Sequence, residues 1–343
     1  MALQNVSNPR SIHGMYPYRG KISAIEADRV IGSFAKTTRL LDPFCGSGTI
    51  VYEAKKHELA SAHATDANPL AAWLTQAKLE CPRRLDEVEV ELAQLIEGSA
   101  IAKSVQKSEL LFYFHERTLR EIESIAPFFD EMSAYLKGCF AGAIALTARG
   151  CNGYRWTSST VGKNLEEKIY VPFIQKLQAK LKKHHFPIAS DGDCGFSLLD
   201  ARALSTKFAE GTFDMVFTSP PYFDGLDYTA YYAKILYLVL GIDSQEVKAS
   251  LIQKTSTYET DMRQVLQEIV KVTSARAKII FVVGDKKTRE GVINGGEFFS
   301  ELLQHKPSQI FERSYTGSSS QIFDEINRTS RREQIVVWDK EEW

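Results

Sequence analysis

The chain has 343 residues, of which 44% are hydrophobic and 25% charged, and its formal net charge is -1 at pH 7. This length exceeds that of a usual single domain, so we expect one large domain with an insertion, or two domains. A net charge near zero excludes a protein that coats nucleic acid through its overall charge, so such binding would have to come from local clusters.

The same composition bounds the compartment and the class of site. No apolar run approaches the ~18 residues that a membrane-spanning helix needs, and residues 1–18 lack the hydrophobic region of a secretion signal. The five cysteines form no CxxC pair, and the histidines lack metal-ligand spacing. We therefore expect a cytoplasmic protein with reduced thiols, no metal and no membrane partner.

Residues 13–21 form the first distinctive segment, with two tyrosines, a proline and two cations ahead of a predicted helix over residues 22–36. One interpretation is an N-terminal arm that packs its tyrosines on a sheet. The other is a lid over a ligand, in which Tyr16 offers an aromatic face to an adenine or a cation and Lys21 binds a carboxylate.

A glycine-rich turn follows the first predicted strand. Arg39–Asp42 has the pattern of a short buried strand, residues 43–49 read Pro-Phe-Cys-Gly-Ser-Gly-Thr, and a helix is predicted over residues 50–57. Gly46 and Gly48 would let the backbone approach a ligand closely. The first N–H groups of the helix would be free to bind a carboxylate or a phosphate.

The second predicted strand, residues 61–65, ends at Asp66 and precedes another helix. An acidic residue about 20 positions after a glycine turn, at a strand end, is placed to accept both hydroxyls of a ribose. The alternative is an ordinary helix cap, to which aspartate is equally suited.

From Cys81 to about residue 191 the alternation of strands and helices stops, and we predict helices over residues 86–96, 116–125, 128–147 and 165–184. Residues 149–190 hold eight Lys or Arg against two Glu. Cations interleaved with aromatic and hydroxyl side chains fit phosphate binding and contacts with base edges. A solvated helix face explains the lysines from 176 to 183 equally well. The residues that we expect to contact nucleic acid are Arg149, Tyr154, Arg155, Trp156 and Lys163.

The third predicted strand, residues 196–199, ends at Asp200, which could accept an adenine amino group or cap a helix. The fourth, residues 213–217, is broken abruptly by Thr-Ser-Pro-Pro-Tyr (218–222), because two prolines cannot continue a ladder. Open α/β sheets bind ligands at such turns. A hydroxyl, rigid carbonyls and an aromatic ring suit a planar base that carries an amino group.

The remaining elements predict the end of a sheet. Strands are expected over residues 277–284, 310–315 and 334–338, with a helix over residues 297–304. The polar stretch between the last two strands carries several arginines, and we expect Arg331 and Arg332 to contact nucleic acid. No GxSxG or Ser/His/Asp signature supports a hydrolase.

With these stretches in order, the chain resembles the S-adenosylmethionine-dependent DNA amino-methyltransferases, in particular the cytosine-N4 and adenine-N6 enzymes of restriction-modification systems. The resemblance covers essentially the whole chain. It implies a Rossmann-like class I methyltransferase sheet of about seven strands, with helices on both faces and a helical insertion. The cofactor-binding residues that it implies are Tyr16, Lys21, Asp42, Pro43, Phe44, Gly46, Gly48, Thr49, Asp66, Asn68, Asp200 and Ala201. The catalytic residues that it implies are Ser219, Pro220, Pro221 and Tyr222.

The order of the segments implies three parts. Residues 1–81 would hold the cofactor lid and the first half of the methyltransferase domain, and residues 192–343 the second half with the catalytic motif. Residues 82–191 would form a DNA target-recognition module, although this insertion falls before the third strand and not after it, as the resemblance would place it. Double-stranded DNA is the implied partner, together with a cognate restriction endonuclease that need not touch the chain.

The resemblance leaves the methylated base open. Ser-Pro-Pro-Tyr is most often found in cytosine enzymes and Asp or Asn-Pro-Pro-Tyr in adenine enzymes, so Ser219 favours cytosine-N4 over adenine-N6. RNA guanine-N2 methyltransferases share the glycine-rich loop but usually carry an N-terminal RNA-binding domain, for which about 38 residues leave no room. A fold kept only for binding would show a decayed glycine loop or proline motif, and both are intact.

Overall fold

A computed structural model describes residues 11–18, 22–99, 108–148, 169–190, 192–221, 229, 233–287, 291–316 and 330–343. The strands are β1 (Arg39–Asp42), β2 (Ser61–Asp66), β3 (Asp193–Leu198), β4 (Phe213–Thr218), β5 (Thr273–Gly284), β6 (Lys286–Lys287), β7 (Val292–Ile293), β8 (Gln309–Thr316) and β9 (Ser330–Asp339). The helices are α1 (Ala24–Ile31), α2 (Thr49–Lys56), α3 (Pro69–Leu79), α4 (Leu85–Ser99), α5 (Glu116–Ile125), α6 (Ala134–Thr147), α7 (Phe173–Lys183), α8 (Lys234–Leu240), α9 (Ser244–Ser250), α10 (Tyr258–Val272) and α11 (Gly295–Leu303). Across these ranges, no helix has the length and apolar character needed to cross a membrane.

Seven strands form one sheet in the order β3-β2-β1-β4-β5-β9-β8. The first five strands in this order are parallel to one another, whereas β9 runs antiparallel to both β5 and β8. The predicted Rossmann-like class I methyltransferase sheet of about seven strands is confirmed. The chain order reverses between β1 and β4, and open α/β sheets bind ligands at this point.

Helices cover both faces of the sheet. Successive side chains of a strand point to opposite faces, and Phe217 of β4 packs with α1 and α2, whereas Val216 packs with α10 and α11. The central strands are therefore buried on both sides, which explains why they read as apolar runs and not as alternating patterns.

The helical segment between α3 and β3 shares one apolar core with the helices around the sheet. Phe140 of α6 and Leu177 of α7 are fully buried in a cluster that includes Leu74 of α3 and Leu236 of α8. Gly142 of α6 makes the close approach possible, because a Cβ there would lie 2.1 Å from the Met15 carbonyl oxygen. Part of the predicted insertion is thus a packed layer of the same body.

Two observed helices begin later than predicted. The helix predicted over residues 128–147 begins at Ala134, because a 3-10 turn over Ala126–Glu131 comes first and Ser133 caps α6. Similarly, α7 begins after Pro172, not at residue 165. Pro lacks an N–H and restricts the residue before it, so helices tend to begin at prolines and not to run through them.

Candidate active site

One pocket lies at the carboxyl ends of β1, β2, β3 and β4. Its empty space is about 820 Å³, including the part open to solvent. The predicted residues that line it are Asp42, Pro43, Phe44, Gly46, Thr49, Asp66, Asn68, Asp200, Ala201, Ser219 and Pro221. The structure therefore brings the glycine turn, three strand-end carboxylates and the proline motif together.

Asp42, the last residue of β1, is the most buried of the three carboxylates, with 1% of its surface exposed. It accepts hydrogen bonds from the Thr218 hydroxyl at 2.6 Å and from the Phe44 backbone N–H at 3.4 Å. Burial raises the pKa of this carboxyl to about 7, although the Thr218 hydrogen bond opposes the shift. At neutral pH the side chain is therefore close to its titration midpoint.

The two glycines of the turn have different roles. Both lie in the left-handed region, with φ of 50° at Gly46 and 70° at Gly48. Gly46 lines the pocket, and its N–H donates to Asp66 at 2.9 Å. Gly48 is not among the lining residues, and a Cβ there would lie 2.8 Å from the Thr75 Cα. Gly48 thus allows the turn to pack on α3, and its contact with a ligand stays a prediction.

Asp66 organises the end of β2 through the backbone. Its two oxygens accept from the N–H groups of Gly46 and Asn68, each at 2.9 Å. Burial raises the pKa of its carboxyl to about 6, with these hydrogen bonds opposing the shift. Asn68 caps α3 by accepting from the Leu70 N–H at 3.0 Å, and its side-chain oxygen also accepts from the Tyr237 hydroxyl. The cap is at Asn68, which leaves Asp66 facing the pocket.

Asp200 caps a turn and also lines the pocket, so its contact with an adenine stays a prediction. It caps a 3-10 turn by accepting from the Arg202 N–H at 2.8 Å, and it lines the pocket. The Arg202 guanidinium forms a salt bridge with Asp200 and another with Asp261 of α10, the latter at 2.8 Å. The same guanidinium donates to the Ser250 carbonyl at 3.0 Å. This third carboxylate therefore has a cationic partner.

The proline motif is fixed by neighbours on the far side of β4. The Ser219 hydroxyl donates to the Val282 carbonyl of β5 at 3.2 Å, and the Tyr258 hydroxyl donates to the Pro221 carbonyl at 2.6 Å. Ser219 and Pro221 line the pocket, whereas Pro220 is buried beside it. Tyr222 lies outside the described residues.

Tyr18 lines the pocket where the sequence had suggested Tyr16. The Tyr18 N–H donates to the Tyr16 carbonyl at 2.8 Å, so the chain turns tightly between them. Both tyrosines are buried in the helical core, and the Tyr18 ring lies 3.2 Å from where a Gly46 Cβ would be. Tyr16 is not among the residues that line the pocket, and its contact with a cofactor stays a prediction. Lys21 lies outside the described residues.

The predicted nucleic-acid contacts are described only in part. Arg149, Tyr154, Arg155, Trp156 and Lys163 lie outside the described residues. In β9, Arg331 and Arg332 are paired with Tyr315 and Ser314 of β8. They directly precede Glu333, which is paired with Gly284 of β5. Since Gly284 is the carboxyl end of β5, this places both arginines at the pocket edge of the sheet.

The interpretation of a solvated helix face fits one of two lysines in α7. Lys182 is exposed and forms a salt bridge with Glu89 at 3.4 Å, whereas Lys180 is buried and donates to the Met15 carbonyl at 2.8 Å.

Some lining residues had no signal in the sequence. Ser250, the last residue of α9, lines the pocket together with the apolar side chains of Leu251 and Ile252. They reach the pocket because Arg202 holds the Ser250 carbonyl, a contact between distant parts of the chain. Cys45 and Ser47 also line it, and the glycine-rich string already contained them.

The arrangement of charge indicates the ligand. No Lys or Arg in the described part of the chain forms a salt bridge with Asp42 or Asp66, so these carboxylates favour a cationic group. Asp200, already paired with Arg202, lies beside Ala201 and Ile252 and suits a neutral adenine. Asp66 stands between them, at the strand end where a ribose is bound. This pocket fits S-adenosylmethionine, and the strand order is that of the class I methyltransferase fold.

The chain is similar in sequence to a known methyltransferase. It is 23% identical to the Type II methyltransferase M.MvaI of Kocuria varians over 322 residues, which cover 85% of the chain and 70% of that relative. No protein-family model matches the chain.

Solved structures overlap most of the chain. The rRNA methyltransferase AviRa from Streptomyces viridochromogenes aligns over 93% of the chain and 87% of its own, with 13% identity and a TM-score of 0.37. A methyltransferase from Methanosarcina mazei aligns over 90% of the chain and 95% of its own length, with 9% identity and a TM-score of 0.39. The fold assignment rests on the strand order of the chain itself.

Proposed function

We propose that the chain is a site-specific DNA methyltransferase that moves a methyl group from S-adenosylmethionine to the exocyclic N4 amino group of a flipped cytosine. Protection within a restriction-modification system is the proposed biological role. The observation that carries this proposal is the shared pocket: Ser219 and Pro221, from the end of β4, line the same space as the carboxylates at the ends of β1 and β2.

The reaction depends mainly on how the protein positions the amine nitrogen relative to the methyl group. The exocyclic amine of a base is a poor nucleophile, because its lone pair is delocalised into the ring, so the protein must hold the nitrogen in line with the methyl group. The cofactor, when bound, supplies that methyl group on a sulfonium. The Ser219 hydroxyl donates its proton to Val282, which leaves its lone pairs to accept from an amino group, and the Pro220 carbonyl is the second acceptor.

A covalent mechanism through a cysteine is disfavoured. Cys45 lines the pocket, but burial raises the pKa of its thiol and the carboxylates of Asp66 and Asp42 raise it further. The thiolate is the nucleophilic form, so this side chain is a poor nucleophile at neutral pH. Direct transfer to the amino group needs no such intermediate.

DNA as the substrate is supported by the similarity to M.MvaI, described as a Type II methyltransferase. A base within a duplex cannot reach such a pocket, so it must be flipped out, and Tyr222 is the proposed stacking face. Arg331 and Arg332, at the pocket edge of the sheet, and the basic stretch from 149 to 163 are proposed to bind phosphates.

Cytosine is preferred over adenine because of Ser219. An ionised aspartate in its place could only accept hydrogen bonds, whereas the serine hydroxyl could donate to the ring nitrogen beside the amino group once it gives up its bond to the Val282 carbonyl. Adenine has an equivalent ring nitrogen, so adenine-N6 methylation is the second candidate.

The test is to express the chain in a host that lacks DNA methyltransferases and to digest its DNA and RNA for mass spectrometry. We expect N4-methylcytosine in the DNA of cells that express the wild-type chain and none with the Ser219→Ala variant. N6-methyladenine in its place would transfer the assignment to adenine. Methylated guanine in RNA, with unmodified DNA, would contradict the proposal.

A further inference from the structure

A buried hydrogen bond joins the cofactor side of the pocket to the proline motif. The Thr218 hydroxyl donates to an Asp42 carboxylate oxygen at 2.6 Å. Thr218 is fully buried and Asp42 is 1% exposed. The two residues end the adjacent strands β4 and β1, so the bond links the residue before Ser219 to the residue before the glycine turn.

The environment of Asp42 makes this donor important. Besides Thr218, the described chain offers the carboxylate one backbone N–H, that of Phe44, at the longer distance of 3.4 Å. The titratable groups that face it are Asp66 and the Cys45 thiol, and the charge on Asp66 raises the pKa of Asp42 further. Thr218 is thus the main group that favours the ionised carboxylate.

The sequence of β4 does not otherwise require this hydroxyl. Valine fits a buried central strand equally well, since it has the same branched shape and no polar group to desolvate. Burial of a hydroxyl is unfavourable unless it is hydrogen-bonded. Because Thr218 is fully buried, it cannot itself touch a nucleic acid, and its described polar contact is Asp42.

This inference rests on the proposed function, in that Asp42 faces the cationic end of S-adenosylmethionine. We propose that Thr218 is a positioning residue: it holds the Asp42 carboxylate toward the cofactor and anchors the turn that presents Ser219. One hydrogen bond between β1 and β4 thereby keeps the cofactor, which donates the methyl group, aligned with the base that accepts it.

The test is calorimetric titration of the full chain with S-adenosylmethionine, without nucleic acid, from pH 6 to pH 9. Thr218→Val removes the donor, so the carboxylate should stay protonated to higher pH. We expect the variant to bind about tenfold more weakly than wild type at pH 7 and the difference to shrink toward pH 9. Thr218→Ser keeps the hydroxyl and should follow the wild-type curve.

Two controls separate this role from a merely structural one. Thr147→Val removes another buried hydroxyl, which is bonded to the Ala143 carbonyl within α6 at 2.9 Å, and it should leave cofactor affinity unchanged at every pH. In an Asp42→Asn background, Thr218→Val should lose its pH-dependent effect. Should the valine variant fail to fold, Thr218→Ala removes the same donor without added bulk.

The proposal is overturned if Thr218→Val lowers affinity by the same factor at every pH, or if its curve matches wild type. A serine variant as weak as the valine variant would overturn it too. Cofactor binding that behaves as expected in a chain that methylates no DNA would contradict the proposed substrate and leave the role of Thr218 intact. A wild-type chain that binds no cofactor would overturn both.

Discussion

The strand ends on the two sides of the sheet reversal differ in charge. On one side, β1 and β2 end in Asp42 and Asp66, and Asp200 follows β3. On the other side, β4 ends in Thr218 and continues into the neutral Ser219-Pro220-Pro221 turn. Carboxylates suit a cationic cofactor with a ribose, whereas hydroxyl and carbonyl groups suit a neutral amine. Charge at the strand ends thus separates the cofactor side from the acceptor side.

The three carboxylates also differ from one another. Asp42 and Asp66 are held by a hydroxyl and backbone N–H groups, while Asp200 is paired with Arg202. The charge is therefore left available at one end of the pocket and neutralised at the other.

Asp66→Ala should have the largest effect. It leaves the Gly46 and Asn68 N–H groups without their acceptor and removes the ribose carboxylate. We expect cofactor binding to weaken by about 4 kcal/mol, close to a thousandfold, in a calorimetric titration. Asp66→Asn, which keeps one acceptor oxygen, should lose less. Affinity within threefold of wild type for Asp66→Ala would show that the ribose is bound elsewhere.

Gly48→Ala tests whether packing on α3 fixes the glycine turn. A Cβ there would lie 2.6 Å from the Thr75 hydroxyl oxygen, in a backbone with φ of 70°. We expect a loss of about 3 kcal/mol in the free energy of unfolding, measured in urea. Gly211 is the matched control, since its φ is 68° but the nearest atom would be 4.0 Å away. Gly211→Ala should lose only about 1 kcal/mol, and equal losses would contradict the packing argument.

Asp42→Asn should stabilise the protein at high pH while it weakens cofactor binding. The folded-state pKa of about 7 lies above the ordinary value of 3.8, so the native state binds the extra proton and stability falls as pH rises between these values. Burial of the new amide should make the variant about 2 kcal/mol less stable than wild type at pH 4, whereas at pH 8, where wild type has lost about 4 kcal/mol through ionisation, the variant should be about 2 kcal/mol more stable. Urea unfolding at both pH values measures this. No gain at pH 8 would mean that the carboxylate is not strained by burial.

Arg202→Met should have the smallest effect. It frees Asp200 and releases the Ser250 carbonyl, but the salt bridges are partly solvated, so we expect a loss of about 1 kcal/mol in unfolding free energy. Arg263→Met is the control, because that arginine pairs with the exposed Glu259 one turn away in α10. Its loss should be about 0.3 kcal/mol. The cofactor affinity should fall only in Arg202→Met, and an unchanged affinity would separate Asp200 from the adenine.

The sequence predicts the parts of this site that depend on neighbours along the chain. Strand β1 has the predicted limits, and the strand-end positions of Asp42, Asp66 and Asp200 follow from short apolar runs that stop at a carboxylate. The glycine turn is readable because a left-handed backbone strongly favours glycine. Local pattern and local structure agree at these positions.

The parts that depend on distant contacts could not be predicted. The choice between Tyr16 and Tyr18 is set by a tight turn in an irregular segment, and the reason for Gly48 is Thr75 on another helix. Residues 250–252 line the pocket only because of a contact with Arg202. Helix α10, over Tyr258–Val272, was not predicted at all, although its Tyr258 hydroxyl holds the proline motif.

The central claim is that the end of β4 acts on the acceptor base and the ends of β1 to β3 on the cofactor. The most direct test is Ser219→Ala, with cofactor affinity measured by calorimetry and methyl transfer to DNA measured with radiolabelled S-adenosylmethionine. We expect an unchanged cofactor affinity and a rate of transfer that is roughly 30- to 1000-fold lower, which corresponds to an activation free energy higher by about 2 to 4 kcal/mol. Full transfer activity, or a loss of cofactor binding in step with the loss of activity, would contradict it.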